Sequence, residues 1–241
     1  MQLIANQQLV RNRVRLGMGF HLGALAVFAV GLVLSFQTDL TRELPLASYA
    51  SILVGMFLYA LGQTQLRRWG PRHRQEEQLG KAIRGLDDRY KLYAFLATSL
   101  PDYILTSPAG VHVLVVRQEM GKVVCVHDRW QRASGWRLPS LLGGAVANPS
   151  AEAQRQVQRL RSLLAEDGIQ DVPTSAIIVF TNDQVQLRIE GCSPIVTRLK
   201  DLKDTLRRIA GKGQAVALGS ARIRDIQSIF DRRMQAAHAW R

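Results

Sequence analysis

The hydrophobic pattern of the chain changes near residue 75, where two long apolar runs give way to short ones. From Leu16 to Phe36 there are 21 residues without a formal charge, and at a rise of 1.5 Å per residue such a run spans a hydrocarbon core of roughly 30 Å. A second apolar run covers residues 46–62, and both runs contain the small residues that let two helices approach closely in lipid. The pattern predicts an N-terminal transmembrane α-hairpin, since a signal peptide has a shorter apolar core of about 7–15 residues.

The charges that flank these runs predict the orientation of the hairpin. Residues 1–15 carry three arginines and no acidic residue, residues 63–75 carry four arginines, and the connecting loop has a net charge of −1. Cytoplasmic loops of membrane proteins are enriched in Lys and Arg. Both termini are therefore expected in the cytoplasm, with the loop outside. These segments hold +6 of the net charge of +13, which leaves +7 on residues 76–241.

The rest of the chain alternates between helical and strand-like patterns, which predicts one α/β domain. Asn148 followed by a proline is typical of a helix start, and nearly continuous β-branched runs at 111–117 and 175–180 are typical of buried strands. YILTS before the first run and KVVCVHD after it complete a predicted three-strand meander. The apolar periodicity predicts helices over about 75–86, 148–164, 201–209 and 220–234.

Composition and cysteine placement exclude several classes of protein. Apolar residues make up 47% of the chain, too many for a disordered protein. Cys125 and Cys192 fall in separate apolar runs, which argues against a disulfide framework or a cysteine-rich zinc site. The sequence shows no Ser/His/Asp spacing, Walker loop, CxxC pair or HExxH motif.

The predicted elements follow one another as helix, three-strand meander, helix and strand, an order that resembles the restriction-endonuclease-like core. The local sequence resembles the nuclease-related domain (NERD) family. In that family a strand with an acidic motif leads through a Gly/Pro turn into Gly-Val-Phe-Val-Ile-Glu-x-Lys, and Asn-Pro later opens a Gln-rich helix before a Val-Val-Val-Phe strand. The resemblance covers most of residues 77–209. The segments that carry it are PDYILTSPAGVHVLVVRQEMGKV, DRW, NPSAEAQRQVQRL, AIIVFTN and EGCSPIVTRLKDL.

The resemblance implies a nuclease site that this chain does not complete. Asp102 falls on the metal-binding aspartate of the family, whereas Val115 falls on its glutamate and Arg117 on its lysine. The acid expected in the first helix falls near Lys81. Nucleases of this class hold Mg²⁺ through carboxylate oxygens and use the lysine on the attacking water. Valine cannot bind a metal, and the high pKa of arginine makes it a poor base.

Two interpretations of the remaining acids stay open. A relocated Mg²⁺ site would use Asp102, Glu119 and Asp128. In the alternative, Asp102 ends a strand as a remnant beside Arg117, the other two are solvated turn residues, and His112 is a satisfied strand histidine. The second interpretation is favoured here, so no cofactor is expected.

Exposed arginines on the predicted helices are candidates for contacts to phosphate groups. The candidates are Arg155, Arg159, Arg207 and Arg208. They suit nucleic acid or anionic lipid headgroups equally well, and a solvated helix face is the plain alternative.

The predicted fold class is α/β, an N-terminal transmembrane α-hairpin followed by a restriction-endonuclease-like mixed-sheet domain. The predicted segments are a cytoplasmic basic N-terminus (1–15), transmembrane helices (16–36 and 46–66) with an external loop (37–45), a basic juxtamembrane linker (67–75), a NERD-like domain (76–209) and a basic amphipathic C-terminal helix (210–241).

The predicted function is that of a two-pass, bacterial-type inner-membrane protein whose cytoplasmic domain has a degenerate nuclease centre and binds nucleic acid or acts as a scaffold. The alternatives are an active metal-dependent nuclease with a relocated site that uses Mg²⁺, and a purely structural membrane- or lipid-interacting protein. The lipid bilayer is the expected partner, with nucleic acid and, through the glycine-rich first helix, other membrane proteins as further candidates.

Overall fold

The computed structural model describes residues 2–36, 44–69, 73–133, 148–212 and 218–239. The chain forms two compact units, one of residues 7–72 and one that joins residues 1–6 to residues 73–241. The predicted external loop lies mostly outside the described residues, and so do the side chains of the juxtamembrane arginines.

Two long helices make up the first unit. Helix α1 covers Gln7–Phe36 and helix α2 covers Leu44–Trp69. Their contacts show that they run antiparallel: Gly55 lies against Phe28, and Gly62, about two helical turns further along α2, lies against the earlier residue His21. A Cβ at either glycine would overlap the facing ring, so glycine is what allows this close approach. His21 also stacks edge-on against Tyr59 with ring centroids 4.9 Å apart.

One described helix is long and apolar enough to cross a membrane. It covers Gln7–Ser35, and only 17% of its most apolar window is buried within the structure. A core helix of a soluble protein would be mostly buried instead, whereas here Leu22 and Leu25 are 68% and 63% exposed. Over its described residues, helix α2 is not long and apolar enough to be counted as a second membrane span.

The second unit is built on a six-stranded mixed sheet in the order β1 (Gln2–Ala5), β2 (Lys91–Ala94), β3 (Tyr103–Ser107), β4 (Gly110–Arg117), β7 (Thr174–Phe180) and β9 (Ile195–Arg198). The central strands β2, β3 and β4 form an antiparallel meander, and β7 pairs parallel with β4. Strand β1 adds parallel to β2 and forms one edge, while β9 adds parallel to β7.

A smaller three-stranded sheet follows the meander, in the order β6-β5-β8. Strand β5 (Gly121–Val126) pairs antiparallel with β6 (Arg129–Ala133) and parallel with β8 (Val185–Glu190). His127 and Asp128 form the two-residue turn of the hairpin, with φ of 48° and 63°. Positive φ at both positions is what a tight hairpin turn requires.

Helices pack on both faces of the main sheet. Side chains alternate between the two faces along each strand, so each face has its own set of contacts. One face carries Val111, Val113 and Val115, which join a buried cluster with helices α4 and α6. The other face meets helix α5, where Thr197 of β9 contacts Thr205 at 3.1 Å. This arrangement is a three-layer α/β sandwich. The helices are α3 (His73–Ala82), α4 (Pro149–Glu166), α5 (Leu202–Lys212) and α6 (Ser220–Ala239), with a 3₁₀ turn at Leu199–Asp201.

Helix α6 is fastened to the sheet and to helix α4. Tyr93 of β2 packs edge-on against Phe230 at 5.2 Å and donates a hydrogen bond to Asp231 at 2.9 Å. Burial and this carboxylate together raise the pKa of the Tyr93 hydroxyl. Arg233 forms a bidentate ion pair with Asp167, which follows the last residue of α4. The compact unit that contains the predicted NERD-like segment therefore also includes β1 and α6.

Candidate functional site

The carboxyl end of strand β4 includes Val115 and Arg117, the two positions at which the family resemblance predicts a glutamate and a lysine. Val115 is 3% exposed and belongs to the buried cluster beneath helix α4. Arg117, two residues on, shares that face and forms an ion pair with Glu152 in the first turn of α4. Glu152 also accepts a hydrogen bond from Gln156 at 3.0 Å. The position of the expected metal ligand is thus apolar, and the guanidinium in place of the lysine is neutralised by a carboxylate.

The start of α4 sets this geometry. Asn148 caps the helix, since its side-chain oxygen accepts from the backbone N–H groups of Ser150 and Ala151. Proline at the next position is pre-organised for the first turn. The predicted cap is therefore confirmed, and it directs Glu152 towards the end of β4. Glu152 lies in the first turn of α4, and it becomes the partner of Arg117 because α4 packs on the sheet.

The three acids of the relocated-site hypothesis lie in different settings. Asp102 precedes β3, is half-buried, and accepts the backbone N–H of Phe95 through its carbonyl oxygen at 2.8 Å. Glu119 follows β4, and one of its carboxylate oxygens is buried without a hydrogen-bond partner. Asp128 lies in the β5–β6 turn and accepts from the Ser193 backbone N–H at 3.0 Å and from the Ser193 hydroxyl. The hydroxyl is the main reason that the pKa of Asp128 is lowered.

Within the described residues, one group of potential metal ligands lies close enough to hold a single ion. It consists of Cys125, Asp128 and Cys192, whose ligand atoms are within 4.8 Å of one another. Asp102 and Glu119 are not part of it. The structure joins the two cysteines in a disulfide, and this corrects the sequence expectation of separate thiols. Strand β8 pairs beside β5, so the chain just after Glu190 lies next to Cys125.

The candidate phosphate-binding arginines lie on two faces of the domain. Arg155 and Arg159 are exposed on α4, and Arg155 donates to the carbonyl of Ala151 in its own helix. Arg207 and Arg208 are exposed on α5, on the opposite face of the sheet. The two pairs therefore do not form one patch.

Lys81, near the position of the expected helix acid, is exposed and pairs with Glu77 at 2.8 Å, which lowers the pKa of that glutamate.

A second polar cluster lies at the other end of strand β4. His112 is 2% exposed, and each of its ring nitrogens faces a serine hydroxyl. Nε2 lies 2.7 Å from the Ser107 Oγ, and Nδ1 lies 2.8 Å from the Ser175 Oγ. Burial lowers the pKa of the imidazole to about 4, so His112 is neutral at neutral pH. The sequence interpretation of His112 as a satisfied strand histidine omitted Ser175, because only the parallel register of β4 and β7 places the two side by side.

Comparison with protein-family models, curated proteins and solved structures finds no match to this chain.

Proposed function

We propose that the chain is a two-pass, bacterial-type inner-membrane protein whose cytoplasmic domain is a NERD-like fold without a nuclease centre and binds nucleic acid. The observation that carries the proposal is the end of β4, where buried Val115 and the Arg117–Glu152 ion pair occupy the place of a carboxylate and a lysine. Mg²⁺ is held by several oxygen ligands. A valine at this position removes one of them, and the ion pair leaves no base for the attacking water.

The order of elements supports the NERD-like fold. Helix α3, the meander β2–β3–β4, helix α4 and strand β7 follow one another as in the restriction-endonuclease-like core described above. Strand β7 pairs parallel with β4, as a helical crossover requires. The hairpin β5–β6 is an insertion between the meander and α4.

The composition of the second unit supports two membrane crossings. Strand β1 and strand β2 belong to one sheet, so residues 2–5 and 91–94 lie on the same side of any membrane. Helix α1 begins at Gln7, directly after β1. If α1 crosses the bilayer, the chain must cross it again before β2. Helix α2 supplies this second crossing, and the arginines that flank both helices favour a cytoplasmic domain.

The redox state of the two cysteines in intact cells tests the orientation. Cytoplasmic thiols are kept reduced, whereas disulfides persist in oxidising compartments. Acid-quenched cells are denatured and treated with a mass-tagged maleimide before any reductant is added. In a cytoplasmic domain the Cys125–Cys192 disulfide of the structure is expected to be reduced, so the chain should carry two tags and the Cys192→Ser variant one. A chain that takes up tags only after reduction has its domain on the opposite side, which would overturn the proposed topology.

Exposed arginines on α4 are the proposed contacts to the nucleic acid backbone. Arg159 makes no hydrogen bond or ion pair with any described residue, and Arg155 bonds only within its helix. Both follow Glu152 on the helix that packs over the end of β4. Arginines that contact phosphate release counterions, so affinity depends on salt concentration.

Charge reversal on the two helices tests nucleic acid binding. The full chain in detergent is used, because β1 is part of the sheet. Arg155→Glu with Arg159→Glu should weaken binding of single- and double-stranded DNA and RNA and reduce the slope of log affinity against log salt by about 2. The matched control, Arg207→Glu with Arg208→Glu, changes the net charge equally on the opposite face and should leave the slope unchanged.

The same samples, supplied with Mg²⁺ or Mn²⁺, report cleavage. Cleavage that disappears in Asp102→Asn would establish an active nuclease with a relocated site and overturn the proposal. Equal losses of binding in both charge-reversal variants would reduce it to non-specific attraction. Absence of binding in the unaltered chain would leave a scaffold or a lipid-facing domain.

A further inference from the structure

The hydrogen bonds around Ser107 favour the tautomer of His112 that carries its proton on Nε2. The Ser107 hydroxyl donates to the Gly110 carbonyl at 3.1 Å and accepts from the Ala109 backbone N–H at 3.1 Å. Its single proton is thereby used, so towards His112 the Ser107 oxygen acts as an acceptor. Nε2 of His112 is then the protonated nitrogen and donates to Ser107. Nδ1 is left as an unprotonated acceptor, and the Ser175 hydroxyl donates to it.

This arrangement has the three parts of an activated nucleophile. Ser175 supplies the hydroxyl, the neutral imidazole of His112 supplies the base, and Ser107 holds the imidazole in one tautomer. The backbone turn 107–110 in turn holds Ser107. Serine hydrolases use the same division of roles, with a carboxylate in the third position. Here a hydroxyl tied to the backbone takes that position.

Ser175 is accessible from a cavity. His112 and Ser175 both line a cleft of about 650 Å³ at the amino ends of β4 and β7. Ser175 also lines the neighbouring cleft of about 370 Å³. Most of the remaining wall of the larger cleft is apolar, including Leu164, Ile169 and Ile195. Ligand sites are typically concave and apolar with a few placed polar groups.

A cation is fixed on the same wall. Arg161 of α4 lines both clefts and donates to the Thr174 hydroxyl and, at 3.2 Å, to the Thr174 carbonyl. Thr174 is the chain neighbour of Ser175. Asp171 also lines the larger cleft, but no described carboxylate forms an ion pair with Arg161, so the guanidinium is available to an anionic group there.

We propose that Ser175 is a nucleophile and His112 its general base, in a site that takes a carboxylic ester or thioester bearing an anionic group. The Ser175 oxygen attacks the carbonyl carbon while His112 Nδ1 accepts the hydroxyl proton. The carbon–oxygen or carbon–sulfur bond of the substrate breaks, and the leaving group takes the proton from Nδ1. Water, deprotonated by the same nitrogen, then attacks the acyl-serine; the bond between the acyl carbon and the Ser175 oxygen breaks, the carboxylic acid is released, and the Ser175 oxygen takes the proton back from Nδ1. Arg161 binds the anionic group of the substrate.

The site is independent of the proposed nucleic acid surface. It lies at the amino end of β4, whereas Arg117 and Glu152 lie near the carboxyl end of that strand. Loss of nucleic acid binding would leave the esterase inference standing, and the reverse also holds.

Labelling with a fluorophosphonate probe tests the nucleophile. The full chain in detergent is incubated with a biotinylated alkyl fluorophosphonate, and the adduct is located by mass spectrometry. Ser175 should carry it, and Ser175→Ala should abolish labelling. His112→Asn should slow labelling about 10²–10⁴-fold, the usual contribution of a general base. Ser193→Ala, which alters a serine that lines only the smaller cleft, should label at the unaltered rate.

A variant of the positioning residue separates catalysis from folding. Ser107→Ala should lower the maximal labelling rate without changing the probe concentration that gives half of that rate, because the cleft keeps its shape. The thermal unfolding midpoint of every variant is measured, and labelling rates are compared only between variants whose midpoints agree with that of the unaltered chain. A folded, unaltered chain without an adduct on Ser175 would overturn the inference, and so would labelling that is equally fast in folded His112→Asn.

Two model esters test the substrate class. After subtraction of the rates measured without protein, the anionic ester p-nitrophenyl succinate should be hydrolysed faster than the neutral ester p-nitrophenyl acetate, and Arg161→Gln should remove this preference. Equal rates for the two esters in the unaltered chain would overturn the anionic substrate class. Absence of hydrolysis of both, with Ser175 still labelled, would overturn the hydrolytic step.

Discussion

Replacing Phe230 with alanine is expected to destabilise the sheet-containing unit by about 3–5 kcal/mol, the usual cost of removing a buried phenyl group. Phe230 has no exposed surface and belongs to the cluster between the sheet and helix α4. Its ring packs against Tyr93, which is held in turn by Asp231. The substitution removes the apolar contact and leaves a cavity between α6 and the sheet.

The measurement is urea unfolding of the full chain in detergent, followed by tryptophan fluorescence. Arg232→Ala, an exposed position beside Phe230 in the same helix, is the matched control and should change the free energy of unfolding by less than about 0.5 kcal/mol. A loss below about 1 kcal/mol in Phe230→Ala would show that α6 is not an integral part of the unit. Helix α6 would then behave as a helix separate from the sheet-containing unit, as predicted from the sequence for residues 210–241.

His112 is expected to make the sheet-containing unit less stable as the pH falls from about 6.5 to about 4. Burial lowers the pKa of His112 from 6.5 to about 4 in the folded state. Between these values the unfolded chain binds a proton that the folded chain does not, so protonation favours unfolding. With one pKa unit worth 1.36 kcal/mol, the loss over this interval is about 3 kcal/mol. Above pH 6.5 the contribution of His112 is constant.

The pH profile of His112→Asn isolates this contribution. The free energy of unfolding is measured at several pH values for the unaltered chain and for the variant, and the difference between the two curves is taken. The difference should change by about 3 kcal/mol between pH 6.5 and 4. His127→Asn, at an exposed position of the β5–β6 turn, is the matched control for the exchange of histidine for asparagine. A flat difference for His112→Asn would mean that the imidazole is hydrated or titrates normally.

Local sequence patterns were sufficient for the elements that depend on neighbours along the chain. The buried run at 111–117 is confirmed as β4, and the run at 175–180 is confirmed as β7 with one further residue. Asn148 is confirmed as the cap of α4. In each case a few adjacent residues determine the outcome, through β-branched side chains in a buried strand or through a side-chain oxygen at the first backbone N–H groups.

Features that depend on strand partners were not predictable in the same way. Residues 2–5 are too few to be recognised as a strand, and β1 exists because the edge of β2 offers it hydrogen bonds. The separate apolar runs of Cys125 and Cys192 argued against a disulfide until the pairing of β5 with β8 brought them together.

The amino-acid sequence alone determined the apolar first helix and the α/β class of the rest, since these are properties of residue types and their spacing. The tertiary structure decided the partners. It paired Arg117 with Glu152 in an ion pair and placed His112 between two serine hydroxyls. Glu152 follows Arg117 by 35 positions and reaches it because helix α4 packs on the sheet. Ser175 follows His112 by 63 positions and reaches it because β7 pairs with β4. Contacts across such sequence distances follow from packing rather than from local pattern.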